Sequence, residues 1–413
     1  MVASVRRVVV VNDASFAKGG ATGLAIASAL ELHGRGLEVT FITGDDGESL
    51  RAAAPGIEVV SLGQERMGSQ AAVHSLLSGL YNRPAEAMLA AWIAKNDRPD
   101  VVYHLHGWAQ IFSPSIFRAL TAVQDRLVIS AHDFFLACPN GAYAFLKSGK
   151  LCNLTPMSAA CVVSDCDRRN YGHKAWRLIR HAIRQSVFDF GRRHPPVLAI
   201  HEAMRPILAR AGIAPASIIV ATNPIRPFLS ERCTAETNRG FLFVGRLESG
   251  KGPDLAAQAA RLAGAPLTIV GDGPMRAELE RTYPEVTFTG RLSGDEVGRI
   301  AASMRALLMP SRYPEPFGLV AAEALWSGLP VILSDTAFLA QDIVQHQVGL
   351  ACDTSDADAF AAALRTLADD DALVAAMSRR AFAGVGRIGQ PMAAWIDQLL
   401  GVYAGRLQEP AAA

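Results

Sequence analysis

Phe241-Leu242-Phe243-Val244-Gly245-Arg246-Leu247-Glu248-Ser249-Gly250-Lys251-Gly252 runs from four consecutive apolar residues into a loop of glycines and two cations. A short apolar run closed by glycine is what a strand buried on both faces looks like. Leu255–Leu262 follows with a helical pattern, and Leu267–Val270 is again apolar. Strand, glycine loop, helix, strand is a βαβ unit with parallel strands. Working outward, the spacing predicts a helix near Arg276–Arg281, a strand at Val286–Thr289 and a helix at Asp295–Ala302. A strand at Leu307–Met309, a helix stopped by Gly328 and a strand at Val331–Leu333 complete this half. The N-terminal half alternates in the same way. Val8–Val11 is a strand, Lys18-Gly19-Gly20 a glycine turn, and Thr22–Leu32 a helix ended by Gly34 and Gly36. Glu38–Ile42, Asp100–Tyr103 and Leu127–Ser130 are further strands. Asn223-Pro224 and the polar stretch Ser230–Arg239 read as a linker. The fold class is α/β: two Rossmann-like, doubly wound parallel-sheet domains facing across a cleft, residues 1–222 and 223–390, followed by a C-terminal helical segment, 391–413.

Composition narrows the function. Of 413 residues, 50% are hydrophobic and 19% charged, which excludes a disordered or fibrous chain. Forty basic residues against thirty-nine acidic ones give a net charge of +1. A dedicated nucleic-acid binder would carry a basic excess, so no nucleic-acid partner is expected. Six cysteines are too few for a disulfide-built secreted scaffold. No uninterrupted apolar run reaches the roughly 18–20 residues of a membrane span. The reading is a cytoplasmic globular protein, with peripheral contact at the inner membrane face left open.

The chemistry concentrates in Arg312-Tyr313-Pro314-Glu315-Pro316-Phe317-Gly318-Leu319-Val320-Ala321-Ala322-Glu323-Ala324-Leu325. Pro314 and Pro316 hold Glu315 extended, and helix formers begin immediately afterwards. Gly318 thus falls at or near a helix N-terminus, whose free N–H groups suit a diphosphate. Glu323 lies five residues on, roughly 7–8 Å along the axis, about the span from a β-phosphate to a ribose. A solvated helix Glu and a loop Glu are the plain alternative. Arg246 and Lys251 sit where one loop could fold both cations over a pyrophosphate, or they are two surface cations. In Val270-Gly271-Asp272-Gly273-Pro274 the glycines would let a base approach the backbone closely. Lys18-Gly19-Gly20 is not GxGxxG, so a dinucleotide fingerprint is absent and a nicotinamide dehydrogenase is disfavoured.

Together, Arg246, Lys251, the Gly-Asp-Gly-Pro turn and the Glu315/Glu323 pair resemble glycosyltransferase family 4, over nearly the whole chain. The resemblance implies a GT-B fold and a retaining, nucleotide-sugar-dependent enzyme. It implies that Arg246 and Lys251 bind the donor diphosphate, and that Phe317, Gly318 and Leu319 give backbone amides to phosphate and sugar. Glu323 would hold the ribose, and Glu315 would contact the donor sugar. Gly271, Arg291 and Leu292 would border the base, and Gly19 and Gly20 the transferred sugar. His132, in Ser130-Ala131-His132-Asp133, matches a strand-end histidine near the sugar 6-position. The helix near Met392–Arg406 would cross back onto the N-terminal domain, as it does in the family. His106, Asp13 and Asp133 are candidates for the acceptor side, each with a packing or solvated-loop alternative. The donor is a UDP- or GDP-sugar, and the acceptor a saccharide, a lipid-linked saccharide or a small molecule. Rival readings are a nucleotide-sugar epimerase of the same fold and a non-catalytic sugar-nucleotide binder.

Charge develops on the leaving diphosphate, so the chemistry asks for cations and oriented amides there. On that ground no metal is expected in catalysis, and Asp165-Cys166-Asp167 is not read as a metal motif. Cys138, Cys152, Cys161 and Cys166 cluster in an insertion, 138–166, without CxxC knuckles. A structural zinc, disulfides and buried free thiols stay open for them. Arg168–His194 carries eight Lys/Arg against Asp189, with Trp176, Ile179, Ile183 and Val187 at helical spacing. It reads either as a basic amphipathic helix for an anionic membrane or acceptor, or as a domain helix with that apolar stripe on the core.

Overall fold

The computed structural model describes residues 5–17, 19–67, 72–384 and 388–408. Lys18 of the glycine turn and the terminal alanines lie outside them. The chain divides into two compact units. The first comprises Met1–Tyr143, Asn153–Thr222 and Ala393–Ala413, and the second Ala144–Cys152 and Asn223–Met392.

In chain order the strands are β1 (Arg7–Asn12), β2 (Glu38–Thr43), β3 (Glu58–Ser61), β4 (Val101–Leu105), β5 (Leu127–Ala131), β6 (Ala144–Phe145), β7 (Lys150–Leu151), β8 (Val197–Ala199) and β9 (Ile218–Val220). They continue with β10 (Gly240–Val244), β11 (Leu267–Val270), β12 (Thr287–Gly290), β13 (Met304–Met309), β14 (Val331–Ser334) and β15 (Gly349–Cys352). The first unit holds a seven-stranded sheet in the order β3-β2-β1-β4-β5-β8-β9, and the second a six-stranded sheet in the order β12-β11-β10-β13-β14-β15. Every pairing in both sheets is parallel. Val8, Val9, Val10 and Val11 are all fully buried, as are Phe241 and Leu242, which is why these runs carry no polar alternation. Strand order reverses between β1 and β4 in the first sheet and between β10 and β13 in the second. Ligands bind beyond the carboxyl ends of strands at such switch points.

Three readings are changed or resolved by the structure. Ser230–Arg239 is not a free linker. Arg232 forms a double ion pair with Glu236 and donates to Ser378 Oγ at 2.7 Å, while Cys233 and Ala235 are buried.

The helix Tyr171–Val187 presents neither a basic outer face nor the predicted apolar stripe to the core. Ile179 is 53% exposed, whereas Lys174, Arg180, His181 and Arg184 are buried. Arg180 donates to the carbonyls of Gly79 and Ala109, both at 2.8 Å, and stacks between Trp108 and Trp176. Arg184 donates to Leu136 O at 2.9 Å, Arg177 to Asn140 O at 3.0 Å, and Lys174 to the carbonyls of Cys161 and Ser164. The segment from 132 to 170 holds little regular structure, so its carbonyls lack ladder partners. Long cationic side chains supply the donors instead.

The cysteines do not form a metal site. Cys138, Cys161 and Cys166 are buried thiols of the first unit, and Cys152 belongs to the β6–β7 hairpin of the second. All are free, and among the described residues no group of three or more His, Cys, Asp or Glu side chains is placed to hold an ion. Cys138 Sγ lies 3.2 Å from Asn140 Oδ1, and burial pushes its thiol up to about 12. Asp167 is spent on Arg177, at 2.9 Å, and on the Arg169 amide. Among the described residues no helix is long and apolar enough to cross a membrane.

Candidate active site

In the second unit the loop after β10 and the loop after β13 are stapled together at the switch point. Arg312 N–H donates to Gly250 O at 2.9 Å, and its guanidinium makes a fork to Asp254 and a bond to Ser249 O. Gly252 takes φ +70°, and a Cβ there would lie 2.2 Å from Pro310 O, so only glycine closes this contact. The staple brings Lys251 Nζ to 2.7 Å from Glu315 Oε2, which also accepts from Ser311 Oγ at 3.0 Å. The Tyr313 ring packs 5.3 Å from the Lys251 ammonium. Burial works to lower the Lys251 pKa, but the Glu315 charge and hydrogen bond outweigh it and hold the ammonium well above its usual value. Burial and the Glu315 charge push the Tyr313 phenol up to about 12.

Gly318 follows at once, with φ +73°, as the N-cap residue of the helix Leu319–Trp326, and no side chain caps that end. A Cβ at Gly318 would meet Met309 at 2.8 Å and Glu315 Cγ at 3.7 Å, so the open helix end lies directly beside the Lys251–Glu315 pair. Phe317, just before it, is buried. Glu323, inside this helix, has no side-chain hydrogen bond or ion pair among the described residues. Burial raises its carboxyl to about 7, with Arg226 pulling the other way.

That shift carries a sign. A carboxyl held near 7 in the folded state and near 4.5 in the unfolded state binds more protons when folded between those values. Stability therefore falls as pH rises from about 4.5 through 7. Glu323→Gln removes the penalty. Its melting temperature is expected to match the parent at pH 5 and to exceed it at pH 8, and a thermal melt at the two pH values checks this.

Arg246, on the same loop, is turned to solvent. Its guanidinium is 59% exposed and paired with Glu248 at 2.8 Å. Gly271 and Gly273 are held to glycine by the fold itself. A Cβ at Gly271 would lie 1.8 Å from Gly245 O, and one at Gly273 would lie 2.5 Å from Leu247 O. What approaches these glycines is the chain's own backbone, and the turn fixes the course of the Arg246 loop. Arg291 is exposed and Leu292 half-buried, just after β12.

In the first unit β1, β4 and β5 deliver Asp13, His106 and His132 from adjacent strand ends. Asp13 is spent: Oδ2 accepts from Gln110 N–H, and Oδ1 from Ile111 and Phe112 N–H, at 2.8–2.9 Å. Burial raises its carboxyl, and those backbone bonds oppose the rise. It anchors the loop after β4, and three of the four acceptor positions of its carboxylate are taken by that loop's amides. Asp133 keeps an exposed surface, yet it is hemmed in by protein that raises its carboxyl to about 6. Gly19 is extended, and a Cβ there would touch nothing within 4 Å, so open space lies before the helix Gly20–Gly34.

The histidines form a chain. His132 Nε2 lies 3.0 Å from His106 Nδ1, His106 Nε2 lies 3.2 Å from His104 Nδ1, and His104 Nε2 lies 2.9 Å from Ser130 Oγ. Tyr403 OH, from the C-terminal helix Met392–Gln408, lies 2.6 Å from His104 Nδ1. Burial lowers all three imidazoles, His104 to about 3 and His132 to about 4, so they are neutral near pH 7. Sequence reasoning missed His104 and Tyr403 as members of this site. The His-x-His spacing on one strand face was a readable signal for the first, but nothing local marks a tyrosine 299 residues away.

The family model described as Glycosyltransferase Family 4 matches residues 18–227, just over half of the chain. The chain belongs to glycosyltransferase family 4. A second family model, Glycosyl transferases group 1, matches residues 230–383. Among curated proteins, a glycogen synthase of Mycobacterium tuberculosis is 37% identical over 159 residues, covering 36% of this chain and 37% of its own length. A GDP-mannose-dependent alpha-mannosyltransferase of the same species is 40% identical over 108 residues, covering 26% and 28%. The chain thus matches well under half of either relative. Among solved structures, Anabaena HepE in complex with UDP superposes with a TM-score of 0.67 at 16% identity, covering 97% of this chain and 100% of HepE. That likeness speaks for the GT-B fold.

Proposed function

We propose that the protein transfers a sugar, with retention at the anomeric carbon, from a nucleoside-diphosphate sugar to an acceptor hydroxyl. The observation that carries this reading is the Lys251–Glu315 pair set against the uncapped, glycine-opened start of the helix Leu319–Trp326. A diphosphate there would receive the Lys251 ammonium and the amides of Phe317, Gly318 and Leu319. Glu315, released from Lys251, would turn to the sugar hydroxyls, and Glu323 would accept from the ribose. Family membership and the names of the relatives, one GDP-mannose-dependent and one solved with UDP, support this assignment of ligand class. Arg246 enters as an exposed cation able to swing from Glu248 to the phosphates.

In the reaction the anomeric C–O bond breaks and its electron pair moves to the β-phosphate. The acceptor oxygen bonds the same face of the sugar, and its proton leaves with the phosphate. Lys251 and the helix amides stabilise the charge that appears on the leaving group, which is where transition-state stabilisation counts.

A panel of UDP- and GDP-sugars, scored by thermal shift, tests the reading. A ligand present at one hundred times its Kd adds about 2.7 kcal/mol of apparent stability. One sugar nucleotide is expected to raise the melting point and, with a saccharide acceptor mixture, to yield an α-linked product from an α-linked donor. Turnover of the donor alone into an epimer, or binding with no transfer to any acceptor, would replace the reading with one of its rivals.

A further inference from the structure

We propose that the hairpin β6–β7 is part of the diphosphate site, with Gly149 at its tip as a positioning residue. Gly149 fixes the Arg312 carbonyl, and through Arg312 it sets the Lys251–Glu315 pair. What that pair binds rests on the sugar-transfer reading; the coupling of hairpin to loop does not.

The hairpin is too small to hold its own shape. Its ladder pairs Ala144 with Leu151 and Phe145 with Lys150, and a lone two-stranded ribbon is marginal in water. Residues Ala144–Cys152 group with the second unit, although Tyr143 and Asn153 on either side belong to the first. The tip is a tight turn in which the N–H groups of Ser148 and Gly149 both donate to Phe145 O, at 3.1 and 2.9 Å. Gly149 takes φ +69°, and a Cβ there would lie 2.7 Å from Arg312 O and 3.6 Å from Arg312 C. Gly149 therefore meets one peptide group, backbone against backbone. Glycine is required twice, by the turn and by the approach.

That peptide group is the one next to the staple. Arg312 N–H donates to Gly250 O, and the guanidinium holds Ser249 O and Asp254. Among the described residues no donor reaches the Arg312 carbonyl, so its place is set by contact with Gly149. Tyr313 comes next, with its ring 5.3 Å from the Lys251 ammonium and 3.1 Å from where a Cβ on Gly250 would lie. Pro314 then fixes φ just before Glu315, whose carbonyl accepts from Phe338 N–H at 3.1 Å. A shift of the Arg312–Tyr313 peptide is thus passed to Lys251 through the Tyr313 ring and to Glu315 along the chain. A methyl on Gly149 forces such a shift, because no side chain can rotate to make room between two backbones.

Hydrogen exchange resolved to single amides, on the full chain without ligand, tests the coupling. The Arg312 amide reports the staple. The Phe241 amide, which donates to Pro266 O at 2.8 Å in the core of the same unit, reports general stability. In Gly149→Ala, exchange at Arg312 is expected to rise about tenfold or more while Phe241 is unchanged. An unchanged Arg312 rate, or an equal rise at both amides, overturns the proposal, because a merely strained hairpin gives one or the other. If Gly149→Ala fails to fold, a second variant replaces Leu146–Gly149 by Asn-Gly, a shorter turn that closes the same strand pair. It too should loosen the Arg312 amide, and a rate equal to the parent's overturns the proposal. Titration with UDP and GDP then tests the use of the contact. Whichever nucleotide the parent binds is expected to bind Gly149→Ala about tenfold more weakly. Equal affinity overturns the assignment of the hairpin to the diphosphate site. A parent that binds neither nucleotide sinks the sugar-transfer reading instead, and the exchange rates still decide the coupling.

Discussion

Lys251→Ala is expected to slow sugar transfer by about a hundredfold or more, the usual cost of deleting one donor to a charge that develops in the transition state. Among the described residues the ammonium has one ion-pair partner, Glu315, at 2.7 Å, and both side chains are mostly shielded from solvent, at 25% and 15% exposure. A diphosphate arriving beside Gly318 would take over that partner role, and its charge grows as the glycosidic bond breaks. Two effects must be kept apart. Removing lysine also leaves Glu315 without its countercharge, supported by Ser311 alone, which costs stability. The double variant Lys251→Ala with Glu315→Gln relieves that cost but restores no cation, so its stability should recover while turnover stays low. Steady-state rates and melts of the three proteins check both. A loss of less than about tenfold, roughly 1.4 kcal/mol, would count against Lys251 as the phosphate cation.

Gly271→Ala has the largest expected effect on stability, about 3 kcal/mol or more. Its backbone sits at φ +145°, where a side chain is strained, and the new methyl would overlap Gly245 O at 1.8 Å. Neither the bond from Gly271 N–H to Gly290 O nor that from Gly245 N–H to Val270 O could survive the separation required. Denaturant unfolding should show the second unit melting early. Gly19→Ala is the contrast: its Cβ meets open space in an extended conformation, so the cost should be about 1 kcal/mol or less, that of an N-cap change. Any larger loss of activity in Gly19→Ala would reflect the ligand, not the fold.

The architecture was readable because its strands are buried on both faces. Val8–Val11 and Phe241–Val244 admit no polar alternation, and Leu267–Val270 appears with the bounds expected of it. The glycine-opened helix after Pro316 was readable for a local reason too: proline forbids helix before it, and Gly318 supplies the positive φ. What could not be read was which distant groups meet. Lys251 and Glu315 are 64 residues apart, and their contact depends on Arg312 stapling two loops. The helix Tyr171–Val187 deceived for a physical reason. Cations are placed at the surface by habit, but here irregular loops left buried carbonyls that only long donors could reach. Gly271 and Gly273 pointed to close approach, correctly, without saying that the approaching group is Gly245 and Leu247. Asp13 reads as a free strand-end carboxylate, but three amides of the loop after β4, nearly a hundred residues on, bond to it.

Calorimetric titration of the parent and Lys251→Ala with UDP, GDP and the corresponding monophosphates tests the central claim most directly. The account predicts that one diphosphate binds the parent at least tenfold tighter than its monophosphate, and that Lys251→Ala erases most of that margin. Equal affinity for mono- and diphosphate in the parent, or an undiminished margin in Lys251→Ala, would contradict it.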